Sequence, residues 1–217
     1  MAGSEDRTDS MEIASAVVLS IAALASSWAS YQAGLWDGEQ AAHYSRTNAL
    51  RTEASRVILE GDALAGVEVQ MFGAWLAAKA NGQPKLAQFY EARFPPHFKP
   101  AFHRWQQDDP LNDPSAPPTP FATPGFRRPG LEKSQALERQ ADEEFQAGQY
   151  ANAVSDGFEQ GATMLALSLF FGGIGQVFKG RTARIFLLAV GGVSLVIGLL
   201  RLFSLPMQIL GFGVPGA

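Results

Sequence analysis

The sequence contains no cysteine, and that absence removes disulfides, thiolate metal sites and cysteine nucleophiles from consideration. Acid is missing from the last 58 positions: all 21 Asp and Glu lie within residues 1–159, and the remainder carries four basic residues. The net charge of −4 therefore averages over a chain whose charge is patterned along its length. A basic surplus is lacking as well. Residues 37–159 hold 12 Lys and Arg against 17 Asp and Glu, which argues against nucleic acid as a partner, because phosphate binding needs a basic face. Proline is absent from residues 11–80, and formal charge is absent from residues 13–36, a run of 24.

These last two absences define the segment around which the chain is organised. Twenty-four uncharged residues exceed the roughly 20 that a helix needs to cross about 30 Å of hydrocarbon, so residues 11–36 are expected to form transmembrane helix one. Along it Ala22, Ser26, Ser30 and Gly34 recur at every fourth position, and the row continues through Gly38 and Ala42. Helices in lipid associate where small side chains let backbones approach, so this row is the expected helix-packing stripe. Trp28, Tyr31 and Trp36 mark the far end as interface anchors, the place that aromatic belts favour. Ala23-Leu24-Ala25 resembles a signal-peptide cleavage site, but residues 3–12 hold Glu5, Asp6, Asp9 and Glu12 against a lone Arg7, where a signal needs a basic flank. The segment is therefore expected to stay as an anchor, preceded by a disordered tail over residues 1–10.

Residues 37–159 are expected to form a helical hairpin outside the bilayer. Leu50, Ala54, Val57, Gly61, Leu64, Met71 and Trp75 keep a helical seam beyond Asp37, with Glu68 interrupting it. One straight helix over residues 11–80 would measure about 100 Å, so a bend near Gly61 or Gly66 is expected. Asn81, Gly82 and Pro84 supply a stop signal. Of the 13 prolines, 11 fall in the proline-rich loop, residues 84–130. A short helix over residues 85–93 opens it, and from Phe94 onward the prolines exclude long regular structure. Phe89, Tyr90, Phe94, Phe98, Phe102, Trp105, Phe121 and Phe126 recur through the loop, which predicts an ordered wrap pinned to the helices by its rings. Residues 131–156 return as a helix. The charge-free residues 160–178 and the apolar residues 183–203 are expected as transmembrane helices two and three, with an apolar tail over residues 204–217.

Arg184 and Arg201 bound the third apolar run and are expected to anchor it at opposite headgroup layers. Asp37, Asp156 or Glu159 would pair with Arg201, and Glu12 with Arg184. The short basic turn at Lys179, Arg181 and Arg184 places the N-terminus in the cytoplasm and residues 37–159 on the periplasmic or extracellular side. Chemistry is sparse. Glycines at 172, 173, 175, 191 and 192 lack the strand that a nucleotide loop needs and read as close helix packing. Glu39 and His43 share a helix face, but His97 and His103 lie far off in sequence, so no metal site is expected. Asp108 and Asp109, before Pro110, read as turn chemistry. No nucleophile elbow or triad is present, and the chain is expected to have no catalytic, cofactor-binding or metal residues and not to be an enzyme.

Three passages carry a resemblance: Trp28-Ala29-Ser30-Tyr31-Gln32-Ala33-Gly34-Leu35-Trp36 with Gly38-Glu39-Gln40-Ala41; Phe98-Lys99-Pro100-Ala101-Phe102-His103-Arg104-Trp105 with Asp109-Pro110-Leu111-Asn112; and Phe170-Phe171-Gly172-Gly173-Ile174. Together they resemble a family of uncharacterised bacterial three-helix membrane proteins, a domain of unknown function of the DUF4337-like kind. The resemblance implies a three-span bacterial protein with a large insertion after the first span, and it brings no activity with it. The expectation is thus an all-α integral membrane protein of the bacterial inner membrane: a structural or interaction protein whose partners are the lipid bilayer and further copies of itself. The alternative is a channel or transport subunit with helix one, through Ser20 and Ser27, lining an axial path. Intramembrane ionisable residues would favour transport, and the three expected spans carry none at mid-depth.

Overall fold

The computed structural model describes residues 2–110 and 112–208; the tail expected over residues 204–217 lies largely outside them. Among the described residues the chain is all-helical. Its elements are α1 (Ala2–Ala80), α2 (Pro84–Arg93), α3 (Lys99–Gln107), a 3-10 turn (Pro120–Ala122), α4 (Leu131–Val177) and α5 (Arg181–Phe203). Two compact units result, residues 1–46 with 143–217 and residues 47–142. Among the described residues two helices are long and apolar enough to cross a membrane, α1 within residues 15–80 and α5. Three spans were expected. The remaining one, expected over residues 160–178, falls on the end of α4 and the one residue after it, where Gln160, Gln176 and the glycines at 161, 172, 173 and 175 dilute its apolarity. The expected return helix and second span are one unbroken helix.

The backbone of α1 is helical from Ala2, within the residues 1–10 expected as a tail. Extending an existing helix carries no nucleation cost, so even a polar, charged segment can continue it.

In the unit of residues 1–46 and 143–217, small side chains of α1 meet larger ones of α4 and α5. Ala22, Ala29 and Ala33 are buried with Val154, Phe158, Leu165, Leu195 and Leu202. Glycine sets the approach of α5 to α4. A methyl group added at Gly198 would stand 2.9 Å from Leu165 Cγ and 3.2 Å from the Gly161 carbonyl oxygen, and one at Gly191 3.2 Å from the Ser168 carbonyl oxygen. Gly172 admits Leu19 of α1 in the same way, at 2.9 Å. Of the glycines expected to pack closely, Gly172 and Gly191 do so within the chain, Gly175 makes only ordinary contact with Leu187, and a methyl group at Gly173 or Gly192 would meet nothing within 4 Å.

The unit of residues 47–142 is built on rings. Phe72 and Trp75 of α1 are buried with Phe94, Phe98, Phe102 and Trp105, and Met71, Tyr90, Phe121 and Phe126 close the cluster. Such ring pairs add about 0.5–1.5 kcal/mol each beyond area burial. The proline-rich segment is therefore ordered by its rings, as its composition predicts. Its first helix, expected over residues 85–93, is α2. Sequence reasoning missed α3, because Pro100 looked like a breaker; in the first turn of a helix a proline has no N–H bond to lose. The end of α1 also follows from local chemistry. Gly82 takes φ +66, its N–H donates to the Lys79 carbonyl at 3.2 Å, and the Gln83 N–H donates to the Ala78 carbonyl at 2.9 Å, a Schellman termination. α1 remains helical through Gly61 and Gly66. At Gly61 an added methyl would lie 2.0 Å from the Pro129 carbonyl oxygen, and at Gly130 (φ +79) 2.5 Å from that of Val57, so paired glycines let the loop's end cross the helix backbone.

Candidate functional site

α1 in the first unit has an inner and an outer face. Ser15, Ala22, Ala29, Gln32 and Ala33 are buried. Roughly opposite runs a row spaced alternately by three and four residues: Ile13, Val17, Ser20, Leu24, Ser27, Tyr31, Gly34, Gly38, Ala41 and Ser45. Every member is exposed and none bears a charge. A methyl group added at Gly34 or Gly38 would meet nothing within 4 Å. The expected stripe is split between the two faces: Ala22 is buried, Ser26 and Ala42 are half-buried, and Ser30, Gly34 and Gly38 are exposed. The reason is helical phase. Four residues turn a helix through about 400°, so an every-fourth row precesses by about 40° per step, whereas alternating three and four stays nearly in line.

The expected anchors divide likewise. Trp28 and Tyr31 are exposed with their rings 5.9 Å apart. Trp36 is committed inward: its indole N–H donates to the Pro206 carbonyl at 3.2 Å and its ring meets Tyr150 edge-on at 6.0 Å. Arg184 is half-buried with its Nε unpartnered, and Glu12 forms no ion pair with it. Arg201 is exposed and lies beside Gly157 rather than pairing with Asp37, Asp156 or Glu159. Asp156 instead accepts from the Asn152 amide at 3.0 Å.

A chain of hydrogen bonds runs along the inner face. The fully buried Gln32 amide clasps the backbone of one residue with both ends: its Nε2 donates to the Gln208 carbonyl at 2.8 Å, and the Gln208 N–H donates to its Oε1 at 2.9 Å. Next, the Ser155 hydroxyl donates to the Ala33 carbonyl at 3.1 Å and the Gln40 amide donates to Asn152 Oδ1 at 2.8 Å. His43 Nδ1 lies 2.6 Å from Glu144 Oε2, with Arg46 3.8 Å from the same oxygen. His43 is thus engaged with a carboxylate of α4, and among the described residues no group of three His, Asp or Glu stands ready for a metal. Gln32 was missed as a functional residue, although an amide with four hydrogen-bond positions inside a 24-residue uncharged run was the signal to follow.

In residues 47–142 Glu68, which breaks the apolar seam in sequence, is 1% exposed, and its Oε1 pairs with His97 Nε2. Its Oε2 and the Trp75 indole nitrogen are buried without hydrogen-bond partners among the described residues. His103 lies between two open grooves of about 330 and 260 Å³, one beside Arg104 and Gln107, the other between α2 and α3 beside Glu91 and Lys99. These groups offer close helix contact, hydrogen bonding and charge. No protein-family model, curated protein or solved structure matches the chain.

Proposed function

We propose that the chain is a structural or interaction protein of the bacterial inner membrane that assembles with copies of itself through the outer face of α1. One observation carries the reading: the uncharged row from Ile13 to Ser45 is exposed, and Gly34 and Gly38 leave space for an approaching backbone. Exposure of the apolar windows supports the membrane. A core helix of a water-soluble protein hides its apolar side chains, yet 22% of the α1 window and 28% of the α5 window are buried, and Phe186, Val193, Leu200 and Phe203 of α5 face outward. The chain crosses three times, at residues 11–36, 160–178 and 183–203. Its N-terminus is cytoplasmic, and residues 37–159 are periplasmic or extracellular, because the turn with Lys179 and Arg181 is short and basic. The resemblance to three-span bacterial proteins agrees with this layout.

The test fills the open groove. Gly34→Leu with Gly38→Leu adds side chains where the monomer has room, so helicity and melting temperature should hold while the particle in mild detergent falls to monomer size. An oligomer of unchanged size would overturn the assignment. A second reading, a channel subunit, rests on Ser20 and Ser27, which lie on the same outer row and would line a path enclosed by several α1 helices. Ion flux through proteoliposomes that disappears with Ser27→Leu would select it.

A further inference from the structure

Charge in residues 47–142 is segregated. Residues 79–104 carry five Lys and Arg and a single acid, Glu91, whereas the rest of the unit carries six Lys and Arg and ten acids. Pairing follows the same division. Arg51, Arg56, Arg127, Arg128 and Lys133 all form ion pairs with carboxylates. None of the cations at 79, 85, 93, 99 and 104 pairs with a carboxylate among the described residues. Arg93 lies over the Phe89 ring at 3.6 Å, Lys79 over the Trp75 ring at 5.8 Å, and Lys99 donates to the Ala92 carbonyl at 3.0 Å. That last bond and the groove shared by Gln88, Glu91, Ala92, Lys99 and His103 make the outer sides of α2 and α3 one continuous surface, in which Glu91 is the single acid.

Apolar groups stand within this cationic surface. α2 buries Ala87 and turns Leu86 (40% exposed) and Phe89 (47% exposed) outward, on the same side as Lys85 and Arg93. A face made only for an acidic polypeptide or free phosphate has no use for an exposed leucine and phenylalanine. Unpaired cations around protruding apolar side chains match an anionic bilayer surface, where the rings and branched chains enter the headgroup boundary and the cations meet lipid phosphates. We propose that the outer face of α2 and α3 docks on an anionic lipid surface, with Leu86 and Phe89 entering it and Lys85, Arg93, Lys99 and Arg104 holding the headgroups. This surface is separate from the outer face of α1 and does not depend on how that face associates.

The experiment uses the full chain in nanodiscs of zwitterionic lipid. The sequence has no cysteine, so Gln88→Cys takes a single environment-sensitive dye at the centre of the face. The protein is then titrated with vesicles of phosphatidylcholine alone or with phosphatidylglycerol added. Docking predicts co-sedimentation and a blue shift with the anionic vesicles only, weakening as salt rises. Each cation near such a surface is worth about a fivefold factor in partition, so Lys85→Gln, Arg93→Gln, Lys99→Gln and Arg104→Gln together should lower it by at least about a hundredfold. Leu86→Ser with Phe89→Ser should abolish the blue shift and reduce binding about tenfold or more. Five of the six positions are exposed, and Lys99, half-buried, bonds only the Ala92 carbonyl, so far-UV circular dichroism should stay unchanged. The proposal is overturned if anionic vesicles are not bound, if the fourfold substitution leaves partition intact, if the serine pair binds as well as the parent, or if polyglutamate or inorganic phosphate displaces the vesicles at equal charge concentration. The last two outcomes would assign a general polyanion site.

Discussion

Rings hold residues 47–142 together, whereas alanines and glycines hold the helices of residues 1–46 and 143–208. In the first region nine aromatic side chains of α1–α3 and the loop converge, and charges outside residues 79–104 pair with one another, as in Arg51 with Asp142 at 3.2 Å. In the second, α5 turns Phe186, Val193, Leu200 and Phe203 out, while Gly191, Ser194 and Gly198 face in beside Leu195 and Leu202. Under the membrane reading proposed above, each arrangement answers a different solvent. Water rewards the burial of rings at about 25 cal/mol per Å² of apolar surface, while lipid is as apolar as leucine and leaves only close contact and hydrogen bonds to favour association. The paired bonds of Gln32, inside the uncharged run of α1, fit that second regime, since an unsatisfied amide away from water costs several kcal/mol.

The comparison breaks most visibly at its largest ring. Trp75 is 2% exposed and touches Phe102 at 4.9 Å, Phe72 at 5.9 Å and Trp105 at 6.1 Å between ring centres. Trp75→Ala should destabilise the aromatic unit by about 3–5 kcal/mol, the usual range for emptying such a site. Near-ultraviolet circular dichroism and hydrogen exchange over residues 84–126 should report the loss, while α5 amides keep their protection. Equal loss of protection in α5 would mean that the two regions do not have separate cores.

Glycines give the next test, because two of similar sequence context have opposite surroundings. Gly198→Leu must displace Leu165 and approach the Gly161 carbonyl, which should cost about 1–3 kcal/mol as overpacking. Gly34→Leu, with nothing within 4 Å, should leave the stability of the monomer within about 0.5 kcal/mol. Denaturant titration of the detergent-solubilised monomer separates them, and equal destabilisation would refute the inner and outer faces described for these helices.

Much of the fold was legible because it rests on runs and periods. Apolar length, the stop at Asn81, Gly82 and Pro84, and rings spaced through the proline-rich loop each carry a local physical signal. What stayed hidden depends on three-dimensional phase. The row Ala22, Ser26, Ser30 and Gly34 looks continuous in sequence, and only the precession of an every-fourth row shows that it leaves one face for another. Glu68 looked like a flaw in the seam until His97, 29 residues later, met it. Gln32 gave no hint of its partner 176 residues away, since a hydrogen bond to a backbone amide leaves no mark on the partner's side chain.

The smallest expected effect lies on the watery side of the comparison. Asp113 follows the left-handed Asp109, and its Oδ1 accepts from the Ser115 hydroxyl at 2.7 Å and from the Ser115 N–H at 2.8 Å. Those two donors, the hydroxyl first and the backbone second, hold the Asp113 carboxyl below its ordinary value, slightly opposed by burial. Both bonds favour the ionised form. A carboxyl whose folded value is depressed stabilises the fold above its unfolded value, about pH 3.9, and that contribution disappears as pH falls through the depressed value. The turn should therefore loosen only in acid, below the ordinary aspartate range, and be unaffected near neutrality. Ser115→Ala removes the larger cause and keeps the backbone donor, so the Asp113 titration followed by NMR should move partway back toward the ordinary value. Global stability at neutral pH should not change measurably, because the carboxyl is open to water and its interactions are screened. A midpoint unmoved by Ser115→Ala would show that the hydroxyl does not hold this carboxylate, and one raised above the ordinary aspartate value would place the turn in an apolar surrounding and blur the division between the two regions.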